Sequence, residues 1–346
     1  HPGDSRRRLP ELLRHAPVHG PTGHPATHPL RGDRLPMRIL SVILLCACAA
    51  DDPQSQAERD SGWAPGTPWD TDAVSAPRVL LDGLDGPAGL SEGFGVLVVA
   101  ESGAGRVWQH DGQAGTVLID GLDAPAEVLA TPQGVVVIDG DQVLSIIDGE
   151  HTEVASGQQD PQSLRLGLDS VWWVESGSGN DGRIWRMDDS DVHAVAEGLE
   201  SPHGLAVVGE RAVTAETGNW RIVQVEEDRP AQALAVIGGT IRDVAADCEQ
   251  PFYVSESTRW PYPGFVGTVS DGEADPLSES PPEPSRLLVA GPYLIWATKQ
   301  SIHRVERDGG TFQTLAQRTA VGDMVIWDDT LIWTNPDRGE VLAVDL

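Results

Sequence analysis

Lysine is almost missing from this 346-residue sequence: Lys299 is the only one, and arginine supplies the rest of the positive charge. With 24 basic against 53 acidic residues the formal net charge is −29, which repels nucleic acid and anionic head groups and excludes both as partners. Cysteine is nearly as scarce. Cys46, Cys48 and Cys248 give no disulfide framework. No apolar run approaches the roughly 20 residues that a membrane-crossing helix needs. The stretch Ile39 to Leu45 stops at seven, and nothing later is long enough. Helical periodicity is also missing from the C-terminal three quarters of the chain, which argues against an α-helical domain there.

What fills that region is a repeated phrase: a turn, a small or acidic residue, two apolar runs in succession, then a tight polar loop. Its clearest statements are Pro87-Ala88-Gly89-Leu90 leading to Val96-Leu97-Val98-Val99-Ala100-Glu101, and Pro202-His203-Gly204-Leu205 leading to Ala212-Val213-Thr214-Ala215-Glu216. Further copies start at Pro125, Pro161, Ile241, Pro284 and Val321, with spacings of 38, 36, 41, 39, 43 and 37 residues. A period near forty with several short strands per unit predicts an all-β protein, a β-propeller of seven four-stranded blades. The 38 glycines and 26 prolines punctuate these strands, while β-branched residues and Trp fill them. Runs such as Val135-Val136-Val137-Ile138 lack alternation, as expected of strands covered on both faces. The last copy has room for only three strands before the chain ends. An orphan strand, Arg78 to Asp82, precedes the first copy and is expected to close the ring as the missing outer strand. The propeller is thus expected over residues 76–346, as a single domain and a monomer.

Three segments of different character precede it. Residues 1–36, with Arg6-Arg7-Arg8 and scattered His and Pro, show no apolar period and read as upstream translated sequence ahead of Met37. Residues 37–47 read as a signal peptide, Met37-Arg38 followed by the short apolar stretch. Leu45-Cys46-Ala47-Cys48 then resembles a bacterial lipobox, which implies lipidation of Cys48 and placement in the bacterial cell envelope, on its periplasmic or surface side. Cys46 stands where a lipobox usually has a small or aliphatic residue. Residues 48–75 are polar, acidic and rich in Pro, Gly and Ser; they are expected to form a disordered tether. Residues 48–346 carry 17 basic and 50 acidic side chains, a net of −33. Contact with the membrane is therefore expected through the lipid anchor only.

In a propeller the innermost strand of each blade starts at the top face, so residues just after each copy's start surround the channel mouth. These include Glu127, His203, Asp243 and Asp323, whose oxygen and imidazole donors could hold Ca²⁺, Mg²⁺ or Zn²⁺. Arg242 and Arg286 occupy comparable positions and could neutralise the acids instead. A second recurrence places Glu101, Glu175, Glu216 and Glu256 at the end of a second strand. Arg106, Arg183 and Arg221 open the next strand in three of these blades, a spacing that predicts pairing across one hairpin with turn N–H groups donating to the carboxylate. Glu256 leads into a longer aromatic loop, and Glu256, Trp260 and Tyr262 are candidates for ligand contact. Gly89 to Gly93 matches G-x-S-x-G and Gly177 to Gly182 matches G-x-G-x-x-G, but neither is followed by the helix its chemistry requires.

These residues carry a family resemblance. Leu97 to Val107 resembles an NHL repeat with Glu101 in place of the usual Asp, and Ser201 to Val207 resembles that repeat's opening. Leu331-Ile332-Trp333-Thr334-Asn335 is similar to a YWTD-type strand, and Val171-Trp172-Trp173-Val174-Glu175 to a strand of the seven-bladed streptogramin B lyase family. The resemblance implies the scaffold over about 77–346. The lyase would need two catalytic His and a Glu near the top, where only His203 is placed; His110, His151, His193 and His303 are expected on outer strands or loops. A lactonase-like metal set of Glu, Asn and Asp could use Glu127 and Asp243, yet no Asn starts an inner strand. The expectation is a non-catalytic propeller that binds a protein, peptide or saccharide on its top face, with a metal-dependent lyase or lactonase as the alternative.

Overall fold

The computed structural model describes residues 76–111, 114–189, 191–247, 250–257, 264–280 and 283–346. The segments expected ahead of the ring, with Cys48, lie outside them, as do Trp260 and Tyr262. The described residues form seven antiparallel four-stranded sheets and no helix, a seven-bladed β-propeller. Six blades are built from consecutive strands. The inner strands, Pro87–Gly93, Pro125–Thr131, Pro161–Leu166, Pro202–Val208, Gly239–Asp247 and Pro284–Ala290, begin at or beside the expected repeat starts. The seventh blade joins Met324–Trp327, Thr330–Asn335 and Glu340–Asp345 to Arg78–Leu81, which pairs antiparallel with the last strand of the chain.

The second strand of each blade is where the non-alternating apolar runs go. Ser170–Glu175 is buried at every position, and Val96–Glu101 at all but its first. Successive side chains on a strand point to opposite faces, and here both faces meet another blade. Val98 and Ala100 pack with Val135, Val137 and Leu144 of the second blade. Leu97 and Val99 point the other way, against Ile332, Val341 and Ala343 of the seventh. Seven such apolar clusters fill the seven blade interfaces. Trp172, Trp173, Trp296 and Trp333 are fully buried among them. Each cluster needs side chains from two blades, so no blade can bury its own faces alone.

At the top, the Glu and Arg recurrence acts as a clasp. Glu101, Glu175 and Glu216 pair with Arg106, Arg183 and Arg221 directly across their hairpins. The second oxygen of each carboxylate accepts a main-chain N–H from the loop that enters the blade: Asp85, Gln159 and Glu200 respectively. Burial would raise the pKa of Glu101 and Glu216, but the arginine and N–H donors outweigh it and hold both below the usual carboxylate value. Asp139 does the same work in the second blade without an arginine, accepting the N–H groups of Asp123 and Ala124 at 3.1 and 2.7 Å.

Closure by Arg78–Leu81 carries a measurable consequence. Leu81 and Leu84 pack against the cluster between blades one and seven, and Leu84 N–H donates to the Gly339 carbonyl at 3.0 Å. Deleting residues 76–84 should therefore cost roughly 2–4 kcal/mol through lost apolar burial and an opened strand edge. Deleting residues 49–70 should leave the calorimetric melting temperature unchanged. Equal melting temperatures for the two deletions would contradict this assignment of the closing strand.

Candidate functional site

Six of the seven inner strands carry a register shift where they meet the channel: at Pro87/Leu90, Pro125/Glu127, Gln162/Arg165, His203/Leu205, Ile241/Asp243 and Pro284/Leu287. A bulge frees a main-chain N–H from its ladder and re-aims a side chain. Three carboxylates take up N–H groups freed in this way, each from the following blade. Glu127 accepts from Leu164 at 2.9 Å, Asp243 from Leu287 at 2.9 Å, and Asp323 from Leu90 at 3.0 Å. The second oxygens of Asp243 and Asp323 accept the N–H of the next residue, Val244 and Met324. Small residues permit the close approach. Gly204 has φ of 69°, and a Cβ there would stand 2.6 Å from the Asp243 Oδ1.

Arg286 reaches into this collar. Its guanidinium lies 3.6 Å from Glu127 and 3.7 Å from Asp323, and its Nε–H donates to the Gly322 carbonyl at 3.4 Å. Burial acts against its charge, but Asp323, Glu127 and Asp243 outweigh that and hold its pKa above the ordinary arginine value. The two acids it spans are not equivalent. Glu127 loses water by burial, yet Arg286, Arg165 and the N–H groups of Ser163 and Leu164 hold its pKa below the usual value. For Asp323, burial and the nearby Glu127 charge prevail over Arg286, so its pKa is raised. His203 is lowered: burial, aided by Arg286, overcomes the pull of Asp243 and Glu127, and the imidazole is neutral at neutral pH.

Arg286 borders two cavities. Below it the channel holds about 380 Å³ among inner-strand residues such as Leu129, Val207, Leu288 and Val325. Above it a cup of about 800 Å³ opens at the top face, lined by His203, Arg242, Glu256, Lys299, Arg318 and Asp337 among others. The four expected metal-site residues thus all border the channel or cup, and Glu256 lines the cup. Of the two arginines expected to balance the acids, only Arg286 does so; Arg242 turns away to pair with Glu256 at 2.5 Å. Among the described residues no three His, Cys, Asp or Glu side chains gather as ligands for a metal ion. His110, His151, His193 and His303 lie on outer or third strands, away from the channel. Gly89 to Gly93 lies in an inner strand and Gly177 to Gly182 in and beside a hairpin loop, with no helix after either.

Sequence reasoning missed Arg165, Lys299 and Arg318. Arg165 follows the bulge between Gln162 and Arg165, which shifts the register of its strand. Lys299 had a usable signal: the chain's single lysine sits in a turn between second and third strands, the top-face position of the Glu and Arg clasps.

No protein-family profile matches this chain, and no curated protein is similar to it in sequence. Solved structures show the likeness. The streptogramin B lyase structure aligns with a TM-score of 0.63 at 12% identity, covering 78% of this chain and 97% of that one. The AfRom2 CNH domain aligns at 0.59 and 9% identity, over 78% of this chain and 99% of the domain. BamB from Moraxella catarrhalis aligns at 0.55 and 15% identity, over 77% and 86%. At such identities the shared property is the propeller scaffold, on which unrelated activities occur.

A titration separates a metal centre from an internally balanced collar. Because Arg286 is the cation that Glu127 and Asp323 face, millimolar Ca²⁺, Mg²⁺ or Zn²⁺ should leave the melting temperature of the purified protein unchanged. An ion bound only by the folded ring would raise stability by about 2.7 kcal/mol at a hundred times its dissociation constant. A rise of several degrees that disappears in His203→Ala with Asp243→Ala would establish a metal centre.

Proposed function

We propose that this protein is a lipid-tethered propeller of the bacterial cell envelope that binds a protein, peptide or saccharide on its top face without catalysis. The observation that carries this reading is the cup of about 800 Å³ at the channel mouth, open above and floored by Arg286. Charged, amide and hydroxyl groups from several blades converge in it, as binding pockets require for orientation. The groups beneath the cup are already engaged: both oxygens of Asp243 and of Asp323 accept main-chain N–H groups. Tethering through Cys48 is supported by Leu45-Cys46-Ala47-Cys48 and by the acidic segment after it. The alternative, a metal-dependent lyase or lactonase, is supported by the shared channel position of Glu127, His203, Asp243 and Asp323.

Site-specific photocrosslinking tests the top-face assignment. A benzophenone amino acid at Gln300, in the cup, should yield an adduct with an envelope component in a bacterial host. The same probe at Phe94, in the turn between the inner and second strands of the first blade, should yield none. An adduct at Phe94 alone, or at neither position, would contradict the reading. In the same cells Cys48→Ser should move the protein from the membrane to the soluble fraction; continued membrane association would remove the tether from the account.

A further inference from the structure

From the charge of the cup and its free main chain, we infer that the top-face ligand is an acidic peptide in extended conformation, an inference that rests on the top-face reading above. Four of the 17 basic side chains in residues 48–346 line this one cavity: Arg242, Arg286, Lys299 and Arg318. Three acids join them, Glu256, Glu283 and Asp337, leaving the lining one charge positive, with Arg286 also facing Glu127 and Asp323 below, within residues 48–346 of net −33. A concavity richer in cations than the acidic surface around it draws an anionic ligand and orients it. The strongly acidic remainder of the surface repels the same ligand, so binding is confined to the cup.

The cations differ in how far they are committed. Arg242 and Glu256 satisfy each other. Lys299 and Glu283 stand 4.0 Å apart with side chains 74% and 59% exposed, a pair that water screens heavily. Arg318 is exposed and forms no ion pair among the described residues. It adopts φ of 55° where the outer strand of the sixth blade hands over to the seventh. Arg286 approaches its carboxylates at 3.6 and 3.7 Å, too far for full hydrogen bonds, and leaves donor capacity toward the cup. Arg318, Lys299 and the upper edge of Arg286 are therefore the groups available to incoming carboxylates.

The wall of the cup distinguishes a peptide from other anions. The inner strand of the seventh blade has four residues, Met324–Trp327, against six to nine in the other blades. Main-chain pairing with the second strand reaches back as far as Gly322, whose N–H donates to the Thr334 carbonyl at 3.1 Å, and residues 320 to 322 line the cup. Among the described residues the N–H of Ala320 and both main-chain groups of Val321 carry no hydrogen bond. Unpaired main-chain groups on half-exposed residues beside a sheet suit an added extended segment, whose own main chain supplies the partners. Acidic side chains flanking that segment reach Arg318 and Lys299.

Fluorescence anisotropy with labelled hexaglutamate as the probe, on the purified full chain, tests this. Hexaglutamate should bind, weaken as salt is raised, and be displaced poorly by hexagalacturonate and by inorganic phosphate. Lys299→Glu with Arg318→Glu should weaken binding at least roughly tenfold at an unchanged melting temperature. Lys299→Gln with Arg318→Gln, which adds no like charge, should show the same direction if the first pair destabilises the fold. N-methylation of the peptide backbone should weaken binding in the native protein. Equal competition by hexagalacturonate or phosphate would overturn the peptide assignment, and binding indifferent to both double variants would overturn the cup as its place. If hexaglutamate fails to bind while the Gln300 probe still captures a ligand, the acidic-peptide inference falls and the top-face reading stands; if both fail, both fall.

Discussion

Three carboxylates in the channel collar, each holding an N–H of the next blade's inner strand, tie neighbouring blades together around the channel. The apolar clusters join the blades from the inner strands outward, and Leu90, Leu164 and Leu287, whose N–H groups these carboxylates hold, belong to them. Around the channel a bulge leaves an N–H of the inner strand without a ladder partner. Glu127, Asp243 and Asp323 supply those partners at 2.9 to 3.0 Å. Three acids around one axis repel one another, and that repulsion would undo the staples were it not for Arg286. Its side chain remains 27% exposed to the channel and sits between Glu127 and Asp323. One cation thus lets acids serve as hydrogen-bond acceptors where neutral side chains would be weaker.

The same residue connects structure to function. Arg286 is the floor of the cup and the roof of the lower channel, so whatever enters from the top meets a fixed charge rather than an open pore. Placing the stabilising cation at that junction lets one side chain serve both the collar and the floor of the cup. The collar is therefore scaffold first, with its outward edge available for recognition.

Much of the ring was legible in the sequence because its two determinants are local. The forty-residue period marks each blade, and the unalternating runs of Val, Ile and Trp mark strands covered on both faces. Arg78–Leu81 could be assigned to the seventh blade because a three-stranded last copy leaves an open edge. The clasps of Glu101, Glu175 and Glu216 were legible for the same reason, since Glu and Arg sit opposite in one hairpin. Asp139 was not, because its donors come from a loop and no arginine marks it. The cup was harder still. Arg318 and Lys299 belong to loops of different length, and whether they converge depends on a curvature that no spacing records. Arg165 was displaced by a bulge, a one-residue shift that reverses the face a strand residue points to.

The account turns on the claim that Arg286 stabilises the ring through charge, and its pH dependence tests that directly. Replacing it by Met keeps the stem and removes the guanidinium, which should cost about 3 kcal/mol near neutral pH by leaving Glu127 and Asp323 with only the more distant Arg165 to offset them. In the variant Glu127 and Asp323 keep their burial but lose Arg286, so their folded-state pKa values rise above the unfolded ones and the variant's stability is greatest in acid and falls as the pH rises. In the native protein Glu127 is held low and contributes stability that is lost as the pH falls through its folded pKa. The gap between the two proteins, measured by denaturant unfolding, should therefore narrow steadily from pH 7 toward about pH 4. A gap that stays constant across this range would mean that Arg286 acts by packing alone and would contradict the account.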